Sequence, residues 1–169
     1  MIKVKVIVRL SEYEELRGKL QPDERIVILS CDSCAKLNNG LGGEQGVKSL
    51  TDKLIEDGFN VIHRELLNVA CSPDELKKRL NDMKTRKLIE EADVIIPLSC
   101  SAGIERVEES MPKLRILRVT ETLGLGMYSP ETGVRLTEPF TGIDIEIDDK
   151  DGISLIEAAD RLNLYEGSF

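Results

Sequence analysis

The run Ile26-Val27-Ile28-Leu29-Ser30-Cys31-Asp32-Ser33-Cys34, continued by Gly40-Leu41-Gly42-Gly43-Glu44-Gln45-Gly46, decides the reading of this chain. Four apolar residues in succession make a buried strand, and the glycine-rich turn beyond the cysteines opens a helix. A strand that passes through a loop into a helix is the first half of an α/β unit. Two thiols stand at the carboxyl end of that strand, where the loops of a parallel sheet converge on ligands.

Outward from this stretch the alternation continues. Val47, Leu50, Leu54 and Ile55 recur at helical spacing until Gly58, a suitable residue just past a helix end. Asn60 to Val69 alternates, carries β-branched residues and reads as a second strand, ending at Ala70-Cys71. Ser72 and Pro73 then make a strong helix start, and Leu76, Leu80, Met83, Leu88 and Ile89 supply the apolar stripe. Asp93 to Ser99 is a third strand, apolar enough to be covered on both faces, and it runs into Cys100. Ser101-Ala102-Gly103 opens a helix over about Ile104 to Met111, and Arg115 to Val119 is a fourth strand.

The flanks are plainer. Ile2, Val4, Val6, Val8 and Leu10 lie on one side of the N-terminal segment, with Lys3, Lys5 and Arg9 on the other; this is the period of a half-buried edge strand or interface arm. Ser11 and Glu14 have the spacing of a capping box for a helix over about Glu12 to Leu20, ended near Pro22. Glu121 to Gly142 is rich in glycine and proline and reads as a long loop or a hairpin. Ile143, Ile145 and Ile147 alternate with acidic residues as an edge strand, and a closing helix from about Ile153 to Leu164 packs through Ile153, Leu155, Ile156, Ala159 and Leu162. The fold expected is α/β, a Rossmann-like three-layer arrangement with a mostly parallel sheet of about four core strands plus edge strands. Residues 1–25 form an N-terminal strand and helix extension, 26–126 the cysteine-bearing core, and 127–169 a C-terminal loop, edge strand and helix.

Composition narrows the function. With 31 acidic and 23 basic residues the net charge is −8, which repels phosphate backbones, and the basic residues are scattered rather than gathered into a patch. Nucleic acid is not an expected partner. Aromatic residues make up 4% of the chain and there is no Trp, so a base-stacking platform lacks material. No segment reads as an export signal or a membrane span, and a soluble cytoplasmic protein is expected.

In that compartment four cysteines are not expected to be structural disulfides. Each lies at or just past the carboxyl end of a strand, so Cys31, Cys34, Cys71 and Cys100 can meet at one rim if the first three strands are neighbours; the outer two ends are then about 10 Å apart. Four thiolates suit a [4Fe-4S] cluster or tetrahedral zinc, and spacing does not separate the two. Gly42, Gly43 and Gly103 leave backbone amides free to face an anionic centre, beside helix N-termini. Ordinary burial of small residues is the bland alternative.

Other motifs are weaker. Cys31-Asp32-Ser33-Cys34 between strand and helix has the form of a redox dithiol, yet about eight residues of glycine-rich loop are expected before the helix, and Cys71 and Cys100 are left without a role. Gly40 to Gly46 departs from a dinucleotide fingerprint, and the second strand does not end in the acidic residue that would hold a ribose. His63 reads as a surface or core residue, and Glu105, Glu108 and Glu109 as a solvated helix face.

Ser30-Cys31-Asp32-Ser33-Cys34 with Gly42-Gly43-Glu44, Ala70-Cys71-Ser72-Pro73, Ala92-Asp93, Leu98-Ser99-Cys100-Ser101-Ala102-Gly103 and Thr122-Leu123-Gly124 together resemble the methylenetetrahydrofolate reductase C-terminal family, the MetV-like proteins. The resemblance spans about Ile26 to Gly126. It implies a small accessory subunit that binds iron-sulfur or zinc through Cys31, Cys34, Cys71 and Cys100, with Gly42, Gly43 and Gly103 shaping the pocket, and passes electrons to a flavin-containing reductase subunit or another redox protein in one-carbon metabolism. Self-association is a further option. Longer members continue into another cysteine-rich segment, whereas here no cysteine follows Cys100, and the strand at Ile2–Leu10 lies outside the resemblance. The alternative is a stand-alone zinc or dithiol redox enzyme acting on a small substrate at the same rim.

Overall fold

The computed structural model describes all residues, Met1–Phe169. The chain begins with β1 (Ile2–Arg9) and α1 (Tyr13–Gly18), followed by β2 (Arg25–Cys31), α2 (Cys34–Leu37), α3 (Gly43–Glu56) and β3 (Asn60–Leu67). Next come α4 (Pro73–Leu80), α5 (Met83–Glu90), β4 (Val94–Leu98), α6 (Ser101–Ser110) and β5 (Arg115–Ile116). The last part holds β6 (Thr120–Ser129), β7 (Gly133–Pro139), β8 (Ile153–Ser154) and α7 (Leu155–Leu162). No helix is long and apolar enough to cross a membrane.

Four strands form a parallel sheet in the order β3-β2-β4-β5, with β2 at its centre. Successive side chains of a strand point to opposite faces, and both faces here are apolar. Val27, Leu29 and Cys31 with Ile95 enter one core, against Leu76 of α4, Ile89 of α5 and Val107 of α6. Ile26 and Ile28 with Val94, Ile96 and Leu98 enter a second, against Leu16 of α1 and Val47, Leu50 and Leu54 of α3. These side chains are almost wholly excluded from water, and each large one contributes on the order of 2 kcal/mol by its burial. The continuous apolar runs of β2 and β4 are the sequence trace of this two-sided cover.

A second sheet of equal size is antiparallel, in the order β1-β6-β7-β8. The expectation of one mostly parallel sheet with loose edges is therefore corrected to an α/β fold with two sheets. Val4, Val6 and Val8 of β1 pack with Leu123, Val134, Leu136 and the Leu155, Ala158 and Ala159 face of α7 in a third core. β1 is an edge strand, as its alternation predicts. Of the two readings for Glu121–Gly142, the hairpin is the one observed, with its turn closed by the Ser129 and Thr132 hydroxyls at 2.7 Å.

Local corrections have local causes. The segment 143–147 forms no strand; Ile143, Ile145 and Ile147 reach the third core from irregular backbone. The stripe expected to run from Leu76 to Ile89 on one helix is split by Asn81-Asp82, where the Asp82 carboxylate caps α5 by accepting the Thr85 amide at 2.9 Å, and Met83 is left in solvent. Ser11 does not cap α1: the N-cap is Glu12, and Glu14 pairs instead with Arg17 at 2.7 Å. In the closing helix Leu155 and Ala159 pack inward while Ile156 is exposed.

Candidate metal centre

All four cysteines are free thiols, and all four gather on one core, that of the β2 face covered by α4, α5 and α6. Cys31 and Cys100 are members of that core, each about 95% buried, with relative exposures of 5% and 4%; Cys34 and Cys71 are half-buried and pack against it. The local chain explains the placement. Cys31 is the last residue of β2, Cys71 lies between β3 and the Ser72 N-cap of α4, and Cys100 is itself the N-cap of α6. Cys34 is the first residue of α2, a four-residue helix where a glycine-rich loop was expected.

Backbone amides are directed at the sulfurs. The Ala70 N–H donates to Cys31 Sγ at 3.5 Å and the Lys5 N–H to Cys34 Sγ at 3.5 Å. Burial pushes the Cys31 thiol up from its ordinary value; the amides of Ala70 and Ser33 oppose this, while the neighbouring Cys100 and Cys34 add to it. Cys34 opens α2 and Cys100 stands as the N-cap of α6.

The glycines expected at the pocket are where close approach needs them. A Cβ on Gly42 would stand 2.6 Å from Ala35 Cβ and 2.8 Å from the Cys31 carbonyl oxygen, so the start of α3 can lie against the cysteine turn only as glycine. A Cβ on Gly103 would stand 2.5 Å from Ser99 Oγ and 3.1 Å from Ala70 Cβ, which places the first turn of α6 on the loop that carries Cys71. Gly43 adopts a φ of +69°, and its carbonyl accepts from the buried Ser30 hydroxyl at 3.1 Å. Two threonines of β6 hold the Cys100 turn: Thr122 Oγ1 accepts the Ser101 amide at 2.9 Å, and Thr120 donates to the Ser99 carbonyl at 2.7 Å.

Two residues of the site lay outside the sequence expectations. The Lys5 ammonium stands 3.6 Å from Cys100 Sγ. The lysines that do pair with carboxylates are Lys36, with Asp32, and Lys48, with Asp52; Lys5 is not among them. Asn38, wholly buried after α2, donates to the Lys5 carbonyl at 2.9 Å and the Cys34 carbonyl at 2.8 Å, and accepts the Ile7 amide at 3.0 Å. The signal for Lys5 was Ile7: it shares the side of β1 that carries the lysines, and an apolar residue there means that this side also meets a core, which it does.

No three thiol, imidazole or carboxylate groups are grouped as ligands of a single ion, and none of the five main surface hollows is lined by a cysteine. His63 is engaged elsewhere, 2.6 Å from Glu65, in a network that Arg79 extends to Glu75. Glu108 and Glu109 pair with Arg118 and Arg106 on the α6 surface. What the rim brings together is four thiols, with backbone N–H donors to Cys31 and Cys34 and the Lys5 ammonium beside Cys100. Comparison with family models, with curated proteins and with solved structures finds no match for this chain, so the reading of the centre rests on its own residues and on the resemblance they carry.

Proposed function

We propose that the chain is a small [4Fe-4S]-binding accessory subunit that passes electrons to a flavin-containing reductase of the methylenetetrahydrofolate reductase type, in cytoplasmic one-carbon metabolism, with Cys31, Cys34, Cys71 and Cys100 as the ligands. One observation carries the reading: every cysteine of the chain packs on one core at the carboxyl end of the parallel strands. That rim lies at the carboxyl ends of a parallel sheet, the side on which open α/β sheets bind ligands, and this supports the reading.

The donor set suits an anionic iron-sulfur centre. Thiolates are its usual ligands, and hydrogen bonds to sulfur are among the protein's means of tuning it; the Ala70 and Lys5 amides are of this kind. A dithiol mechanism is disfavoured by Cys31, since an attacking thiol needs exposure and a lowered pKa and this one is buried and pushed up. When bound, the group would supply one-electron transfer; the chain would supply four sulfurs, with backbone N–H donors to those of Cys31 and Cys34.

Anaerobic purification followed by iron and sulfide assay tests the proposal. About four irons and four sulfides per chain, with visible absorbance that bleaches on reduction, are expected, and Cys71→Ser is expected to lose most of both. A colourless protein that takes up stoichiometric zinc, or no metal, would overturn it.

A further inference from the structure

We propose that Lys5, delivered by β1 and locked in place by Asn38, is a positioning residue of the cysteine centre whose ammonium favours the electron-rich state of whatever cluster those thiols hold. The inference rests on the iron-sulfur reading above and adds a part of the molecule that the resemblance does not reach, since β1 belongs to the other sheet.

Three observations converge on this lysine. Its Nζ stands 3.6 Å from Cys100 Sγ, and its own backbone amide donates to Cys34 Sγ at 3.5 Å, so one residue touches two of the four sulfurs by two different groups. The ammonium is half-buried and has no carboxylate partner, which leaves its charge uncompensated where the thiols are. Its backbone is also fixed: Asn38 ties the Lys5 carbonyl to the Cys34 carbonyl and anchors the following turn of β1 through the Ile7 amide. Asn38 is fully buried and is not part of any regular ladder, and its polar atoms are used to join β1 to the cysteine helix. A cation held near a centre that gains one negative charge on reduction stabilises the reduced form more than the oxidised one. Removing the cation makes reduction harder. The backbone bond to Cys34 survives any change of the side chain, so assembly of the centre is retained.

The test compares Lys5→Met, Lys5→Arg and Lys3→Met with the wild type, all purified anaerobically and titrated with dithionite against redox dyes while iron is assayed. Lys3→Met changes the net charge as Lys5→Met does, on an exposed residue of the same strand. Expected are equal iron contents, a midpoint potential shifted to more negative values in Lys5→Met alone, and wild-type behaviour in Lys5→Arg and Lys3→Met. Should Lys5→Met fold poorly by circular dichroism, Lys5→Gln reads the same shift. Equal potentials in Lys5→Met and Lys3→Met, with iron bound, would overturn the role of Lys5 and leave the iron-sulfur reading standing. A wild-type protein that binds no iron would overturn both.

Discussion

Asn38 Oδ1 accepts the amide of Ile7 at 3.0 Å, and through this bond a four-residue helix of one layer holds a strand of the other. The same amide group donates to the Lys5 and Cys34 carbonyls. Replacement by leucine keeps the volume and removes every partner, leaving buried backbone groups unsatisfied at about 1–3 kcal/mol each. Asn38→Leu is expected to lose about 3 kcal/mol of stability by urea denaturation; a loss below 1 kcal/mol would mean that water takes over the bonds.

Gly42 makes a prediction that concerns contact rather than backbone strain. Its φ of −111° is open to any residue, but an added methyl would meet Ala35 Cβ at 2.6 Å, the Cys31 oxygen at 2.8 Å and the Leu98 oxygen at 3.1 Å. Two of these are backbone atoms of core strands or their ends and cannot rotate away. Gly42→Ala should destabilise the protein by about 2–3 kcal/mol, measured by thermal melting.

Asp93, just before β4, sets a pH dependence. Its carboxylate accepts from the Arg25 amide at 2.8 Å and the Arg25 guanidinium at 3.0 and 3.1 Å, which holds its pKa down to about 2. The ordinary value is about 3.9. The folded pKa is the lower one, so the contribution is fully present above the unfolded value and disappears as pH falls from about 4 towards about 2. The stability difference between wild type and Asp93→Asn should be constant from neutral pH to about 5 and close in that acid window. A difference that persists at the lowest pH would show that the ion pair is not its source.

Arg9 makes a fourth. Its guanidinium lies 4.9 Å from the Phe169 ring centre and 5.6 Å from that of Tyr165, and it donates to the Gly167 carbonyl at 2.9 Å and the Ser11 carbonyl at 3.0 Å. Lysine keeps the charge but not the planar fork. Arg9→Lys should cost about 1–2 kcal/mol and raise amide exchange in residues 163–169 more than elsewhere, as read by mass spectrometry.

Much of the parallel layer was legible because its physics is local. β2 and β4 announce themselves by unbroken apolar runs, and Ser72-Pro73 marks the start of α4 as expected. The positions of the cysteines at strand ends were legible for the same reason. The second sheet was not: β6 carries Gly124 and Gly126 at its centre, where β1 and β7 press on both sides, and glycine in a strand looks like loop until its partners are known. The irregular Ile143–Ile147 stretch failed in the opposite sense, because alternation becomes a sheet only where a neighbouring strand pairs with it, and these residues belong to neither sheet. Lys5 looked like a solvated charge because Lys3 and Arg9 share its side of the strand. The packing of β1 on α2, fixed by Asn38, sets that face on the thiols.

β1 sends Val4, Val6 and Val8 into one apolar interior and Ile7 into another. A strand shared in this way leaves no seam along which the molecule can be pulled into halves. Heat or urea should therefore undo it in a single step, with far- and near-ultraviolet signals superimposing, and a shortened version starting after Arg9 should come out of the cell as aggregate instead of as a smaller working piece.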